Sequence, residues 1–217
     1  MNYTNFFILL LCSYINSTYA LPTYESTILK AQDKLDSLAA YGVIKKIDLS
    51  GPDGINNENA YGETVLHIAA QHPELFSPSL IEDLIYAGAN VTEVDTSGDT
   101  PLHFASYHNY LPAMELFIEH GDKSMLSERN ADGYTALDEA IEGIIGRSPK
   151  DYSYYQTAKE FPITGKINKP KGYDAVSLLL ENGACVSPDI LEMAEKHKLD
   201  RSIIYLLKEY EKKQPCR

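Results

Sequence analysis

Tryptophan is missing from this 217-residue chain, cysteine occurs three times, and positive charge is scarce, with 19 Lys and Arg against 31 Asp and Glu. The tryptophan gap beside 16 tyrosines is a bias that an AT-rich genome produces as readily as function does, so it excludes nothing. The charge deficit is more informative. A formal net charge of −12 repels phosphate, which argues against nucleic acid as a partner for the surface as a whole. Cysteines without paired Cys or His nearby make a poor zinc site. The apolar run "FFILLLC", residues 6–12, is far shorter than the roughly 20 residues needed to cross a bilayer. What is present, 44% hydrophobic and 23% charged residues, is the balance of an ordinary globular protein with one large domain or two small ones.

That apolar run follows a polar lead and precedes "STYA", which sets Thr18 and Ala20 at the −3 and −1 positions of a signal-peptidase site. Residues 1–20 therefore read as a cleaved secretory signal, with an uncleaved membrane anchor as the alternative. The lead "MNYTN" departs from the usual pattern in lacking Lys or Arg, and Leu11 is too large for a lipoprotein cleavage ahead of Cys12. The mature chain keeps Cys185 and Cys216.

Further along, "GDTPLHFA" at 98–105 sets a proline one step after a threonine and then resumes apolar spacing. Thr100 is placed to N-cap a helix, and Pro101 falls at the first helical position, where its missing donor costs nothing. Leu102 and Ala105 share one face, and His103 is positioned to hydrogen-bond across the turn and hold the preceding loop. Gly98 suits a tight turn of positive φ. The same grammar recurs at "GETVLHIAA", 62–70, and in degraded form at "GYTALDEA", 133–140, where Asp138 replaces the histidine and is expected to weaken the bond. A second marker follows each copy: "LIYAGANV" at 84–91, "LFIEHGDK" at 116–123 and "LLLENGACV" at 178–186, each reading as a helix closed by a glycine. Over about residues 37–210 the chain resembles the ankyrin-repeat family, whose signature is T-P-L-H-x-A. The resemblance implies an all-α solenoid of stacked helix pairs with short β-turn fingers.

Spacing marks departures from that pattern. Gly88 to Gly121 is 33 residues, the family period, but Gly62 to Gly98 is 36 because "HPELFSPS" lengthens the first inter-helix turn. Gly133 to Gly183 is 50 where Gly98 to Gly121 is 23, a 27-residue excess. The chain accordingly divides into the signal (1–20), N-terminal capping helices (21–58), repeats at 59–95, 96–129 and 130–184, an insertion at about 145–171 within the third, and a C-terminal capping helix pair (185–217). Cys185 precedes the first helix of that last pair and Cys216 follows the second. Antiparallel packing would return both to one end, with a disulfide and two free thiols left as alternatives.

Catalysis would need a nucleophile with a base, a metal cluster or paired carboxylates in a pocket, and no recognisable string supplies one. No catalytic residue, metal ligand or cofactor is expected. His67 and His103 occupy the signature position, where a structural hydrogen bond explains them. In ankyrin proteins the fingers and the first helix of each pair form a concave binding face. On the matching positions the resemblance implies contacts from Tyr61, Glu63, Gln71, His72, Ser97, Asp99, Tyr107, His108, Asp132 and Tyr134. Tyrosines give contact area at low entropy cost, and the carboxylates favour a basic protein partner. Residues 144–172 run against the overall charge, with six Lys or Arg and two Asp or Glu. Their Tyr152, Tyr154 and Tyr155 make a second contact surface one reading, fold-back or disorder the other.

The expectation is thus a monomeric, exported, non-catalytic protein-binding scaffold, secreted or periplasmic. It has no nucleic-acid partner and no membrane span after signal cleavage. One setting is a bacterial protein acting on host proteins; another is a structural or protective partner of a resident protein. An enzyme with a site around the 145–171 insertion is a third. In a eukaryotic secretory setting, Asn90-Val91-Thr92 is a glycosylation sequon on a finger.

Overall fold

The computed structural model describes residues 24–40, 48–49, 54–146, 172–214 and 216. Among them are helices α1 (Tyr24–Ala40), α2 (Val65–Gln71), α3 (Pro78–Tyr86), α4 (Pro101–Tyr107), α5 (Leu111–His120), α6 (Ala136–Gly146), α7 (Tyr173–Glu181), α8 (Pro188–Lys196) and α9 (Arg201–Lys213), with short 3-10 turns at Gly54–Asn56 and Lys123–Leu126. No β-strand occurs among the described residues. The signal at 1–20 and residues 147–171 of the insertion, with Tyr152, Tyr154 and Tyr155, lie outside them.

Short helices of seven to ten residues are marginal alone, so they persist only by packing. Two parallel rows result. α2, α4, α6 and α8 pack in succession as an inner row; α1, α3, α5, α7 and α9 form an outer row. Small residues let the inner helices approach: Ala69, Ala70 and Ala105 are fully buried beside Leu66, Ile68 and Leu102. Gly143 of α6 carries this furthest. A methyl group there would overlap the Tyr107 carbonyl oxygen at the end of α4, so helix propensity has yielded to close packing. One interior runs from Ala31 of α1 to Leu207 of α9, and every layer is covered by its neighbours.

The helix starts follow the sequence. Pro78, Pro101 and Pro188 fall at first-turn positions, and the side chains of Ser77, Thr100 and Ser187 accept the N–H groups of Leu80, His103 and Ile190. Two helix ends, at Gly88 and Gly183, use positive φ, as expected. Gly121 does not: its φ is −91°, and a Cβ there would meet the Phe117 carbonyl oxygen and the Met125 side chain.

The longer first turn is packed. Phe76, at its end, is wholly buried, and its carbonyl accepts from the Tyr110 hydroxyl of the next layer at 2.8 Å. Burying such a ring contributes about 1.5–3 kcal/mol. The N-terminal region shows one α-helix and one 3-10 turn among its described residues, where capping helices were expected. At the other end, Asp200 caps α9 through Ser202 N–H at 2.8 Å, and a Cys185–Cys216 disulfide joins the start of the last pair to its end, with Cα atoms 5.0 Å apart. The alternative of free thiols is thereby settled by the antiparallel return.

Candidate functional site: the finger and inner-helix face

Each finger is built around an Asx turn. Asn59 Oδ1 accepts from Tyr61 and Glu63 N–H at 2.8 and 3.1 Å, Asp95 Oδ1 from Ser97 and Asp99 at 2.8 and 2.9 Å, and Asn130 Oδ1 from Asp132 and Tyr134 at 3.1 and 2.9 Å. The glycine three residues on has positive φ each time, and at Gly62 a Cβ would also press on the Thr96 backbone nitrogen. Adjacent fingers are joined edge to edge, Thr96 N–H donating to Tyr61 O at 2.9 Å and Ala131 N–H to Ser97 O at 2.7 Å. The Asn/Asp-x-x-Gly spacing carried this signal in the sequence and was passed over there.

The signature histidines fasten finger to helix. His67 Nδ1 accepts from Thr64 N–H at 3.0 Å and pairs with the Thr64 hydroxyl at 2.9 Å, while Nε2–H donates to Asp99 O at 3.0 Å. His103 does the same with Thr100 at 3.1 and 2.8 Å and with Tyr134 O at 3.2 Å. The loop held is therefore the following one, not the preceding one, because Nε2 points along the stack toward the next layer. Burial holds both imidazoles below their usual pKa. They are neutral, with the proton on Nε2.

Asp138 was expected to weaken its turn, and within the turn it does not. Its Oδ2 accepts from Thr135 N–H at 2.8 Å and from the Thr135 hydroxyl at 2.7 Å, the bonds Nδ1 makes elsewhere. A carboxylate has no proton for a further finger, so only the link between layers is lost.

The ten positions inferred for contact fall into two groups. Tyr61, Glu63, Ser97, Asp99, Asp132 and Tyr134 lie at the fingers; Gln71, His72, Tyr107 and His108 lie at the far ends of α2 and α4, about 10 Å away at 1.5 Å per residue. Tyr61 is 52% and Tyr107 36% exposed. Glu63 is committed internally, its two oxygens accepting from Asn59 at 2.6 Å and Gln71 at 2.8 Å. His72 Nδ1 pairs with Glu74 at 2.9 Å, and the Tyr107 and His108 rings meet edge to face at 5.4 Å. Asn90 sits at the base of its loop, where its amide donates to Glu93 Oε1 at 2.7 Å.

Between the two groups lies a hollow of about 250 Å³ lined by Asp99, His103, Phe104, Tyr107, His108 and Glu139. Glu139 and Phe104 were missed in the sequence; each lies four residues after its repeat's threonine, on the helix face turned toward the hollow. Asn130 Nδ2 donates to both Asp99 Oδ1 at 2.8 Å and Glu139 Oε1 at 3.0 Å. Burial, then the nearby Asp99, pushes the Glu139 carboxyl up to about 7, and burial raises Asp99 as well. Among the described residues no group of three or more His, Cys, Asp or Glu is placed to hold a metal, and no helix is long and apolar enough to cross a membrane.

Paired helices stacked in register, with fingers hydrogen-bonded along one edge, define an ankyrin-repeat solenoid. Residues 66–148 match the family described as ankyrin repeats (3 copies). The chain is also 26% identical over 179 residues to the tyrosine-protein kinase HTK16 of Hydra vulgaris, a match covering 70% of this chain and 23% of that protein. It thus spans less than a quarter of that relative's length. Ankyrin repeats are a protein–protein interaction module and are generally non-catalytic.

Proposed function

We propose that the chain is an exported scaffold that binds a protein partner through its fingers and the inner row of helices. The observation that carries this reading is the rigid register of the face. Backbone bonds between fingers and the two histidine clips fix Tyr61 and Tyr134, and α4 carries Tyr107, on one preformed surface, so little ordering entropy opposes binding. The kinase activity in the relative's name stays with that protein, since the shared length is a small part of it.

Export is supported by the apolar run and the Thr18/Ala20 spacing, and a Cys185–Cys216 disulfide suits an oxidising compartment. Mass analysis of the chain recovered outside the cytosol should give a product starting at Leu21; an intact Met1 terminus would overturn the signal reading. Binding is tested by affinity capture with residues 21–217, wild type against a Tyr61→Ala, Tyr107→Ala, Tyr134→Ala triple variant. Capture should be lost with the thermal melt unchanged. Equal capture by both would defeat the assignment of the face.

A further inference from the structure

The hollow between fingers two and three has a composition that its neighbours do not explain. At about 250 Å³ it is below the roughly 300–1,000 Å³ of small-molecule sites, yet it has room for about eight waters at about 30 Å³ each. It is the size of one long side chain. Two walls come from α4, as the Phe104 and Tyr107 rings with His103 and His108; the others are Asp99 of the second finger and Glu139 of α6.

The charge there is unbalanced. Asp99 and Glu139 sit on either side of the single Asn130 amide nitrogen, and each keeps one carboxylate oxygen without a hydrogen-bond partner among the described residues. Among the described residues no Lys or Arg lines the hollow. The groups bearing on Glu139 include Asp99, Asp138 and Glu142, all acidic, and the buried His103 alongside is neutral. Two carboxyl groups facing a half-buried space, with no counter-charge among the described residues, oppose each other's ionisation, and an entering cation would relieve both.

We infer that this hollow is the receptor for one arginine side chain of the protein partner, its guanidinium bridging Asp99 and Glu139 and stacking on the Phe104 and Tyr107 rings. Arginine fits better than lysine because its planar fork reaches two carboxylates at once and lies flat on an aromatic face. The inference rests on the proposed binding face and names the chemistry that face selects. Since Glu139 must give up its proton to the solvent for the pair to form, binding tightens as pH rises from 6 to 8.

The test is a titration of isotope-labelled residues 21–217 with acetyl-Gly-Gly-Arg-Gly-Gly-amide, followed by amide chemical shifts, with the lysine peptide and the uncharged, isosteric citrulline peptide as comparisons. The arginine peptide should shift the amides of Asp99, Tyr107 and Glu139 saturably, the lysine peptide more weakly, and the citrulline peptide not at all. Glu139→Gln and Asp99→Asn should each weaken arginine binding at least tenfold while the melting temperature stays within a few degrees. Shifts spread over the acidic surface, equal response to citrulline, or indifference to both substitutions would overturn the inference. A negative titration beside tyrosine-dependent capture removes the arginine receptor alone. A positive titration beside capture that ignores the tyrosines removes the wider face and the stacking on Tyr107, and leaves the bridge between Asp99 and Glu139 standing.

Discussion

Replacing His103 separates what a signature histidine does within its turn from what it does between layers. In His103→Ala the buried Thr100 N–H loses its acceptor, a cost of about 1–3 kcal/mol for an orphaned buried donor. The bond to Tyr134 O is lost as well, worth about 0.5–1.5 kcal/mol net. The expected destabilisation is about 1.5–4.5 kcal/mol. His103→Asn should behave differently. Asp138 demonstrates that a short side chain at this position satisfies the threonine N–H, at 2.8 Å. An asparagine carbonyl oxygen does the same without adding charge, so only the inter-layer bond, about 0.5–1.5 kcal/mol, should go. Urea denaturation followed by circular dichroism reads both, the midpoint moving at constant slope. Equal losses in the two variants, or less than about 0.5 kcal/mol for alanine, would refute the division of labour.

Three further outcomes follow from particular contacts. The Cys185–Cys216 bridge closes a segment with a sequence separation of 31, which by the chain-entropy relation stabilises by about 4 kcal/mol; reduction should lower the calorimetric melting temperature by about 8–15 °C, and an unmoved transition would contradict it. Gly143→Ala should destabilise by about 1–3 kcal/mol through overlap with the Tyr107 carbonyl, although helix propensity alone predicts a gain of about 1 kcal/mol; the sign of the urea midpoint shift decides. For pH, buried His67 and His103 have lowered pKa values, so their contribution is complete above 6.5 and lost as pH falls. Glu139, raised from 4.5 to about 7, acts in the opposite sense, adding stability as pH falls through that window. Glu139→Gln should therefore make stability fall more steeply on acidification between pH 6.5 and 5, and a shallower fall than wild type would reverse the assignment.

Much of the scaffold was legible because it is local and repeated. Thr100-Pro101, Ser77-Pro78 and Ser187-Pro188 announce helix starts through capping chemistry that needs only a few adjacent residues. Gly88 and Gly183 announce ends through backbone freedom that other residues lack. Gly121 shows the limit of that reasoning, since the same letter in the same place answers to close approach of the Phe117 carbonyl and the Met125 side chain and not to φ. Asp138 read as a loss because the sequence shows identity and not which atom of the histidine it replaces.

The sequence by itself determined the repeat and the all-helical class, since each depends on short-range periodicity and turn chemistry. Stacking alone decided that His103 clasps the finger ahead, that Gly143 must stay bare, that Cys185 meets Cys216, and that Asp99 and Glu139 share one hollow. Those facts join residues from different elements or layers, and only three-dimensional packing sets such distances.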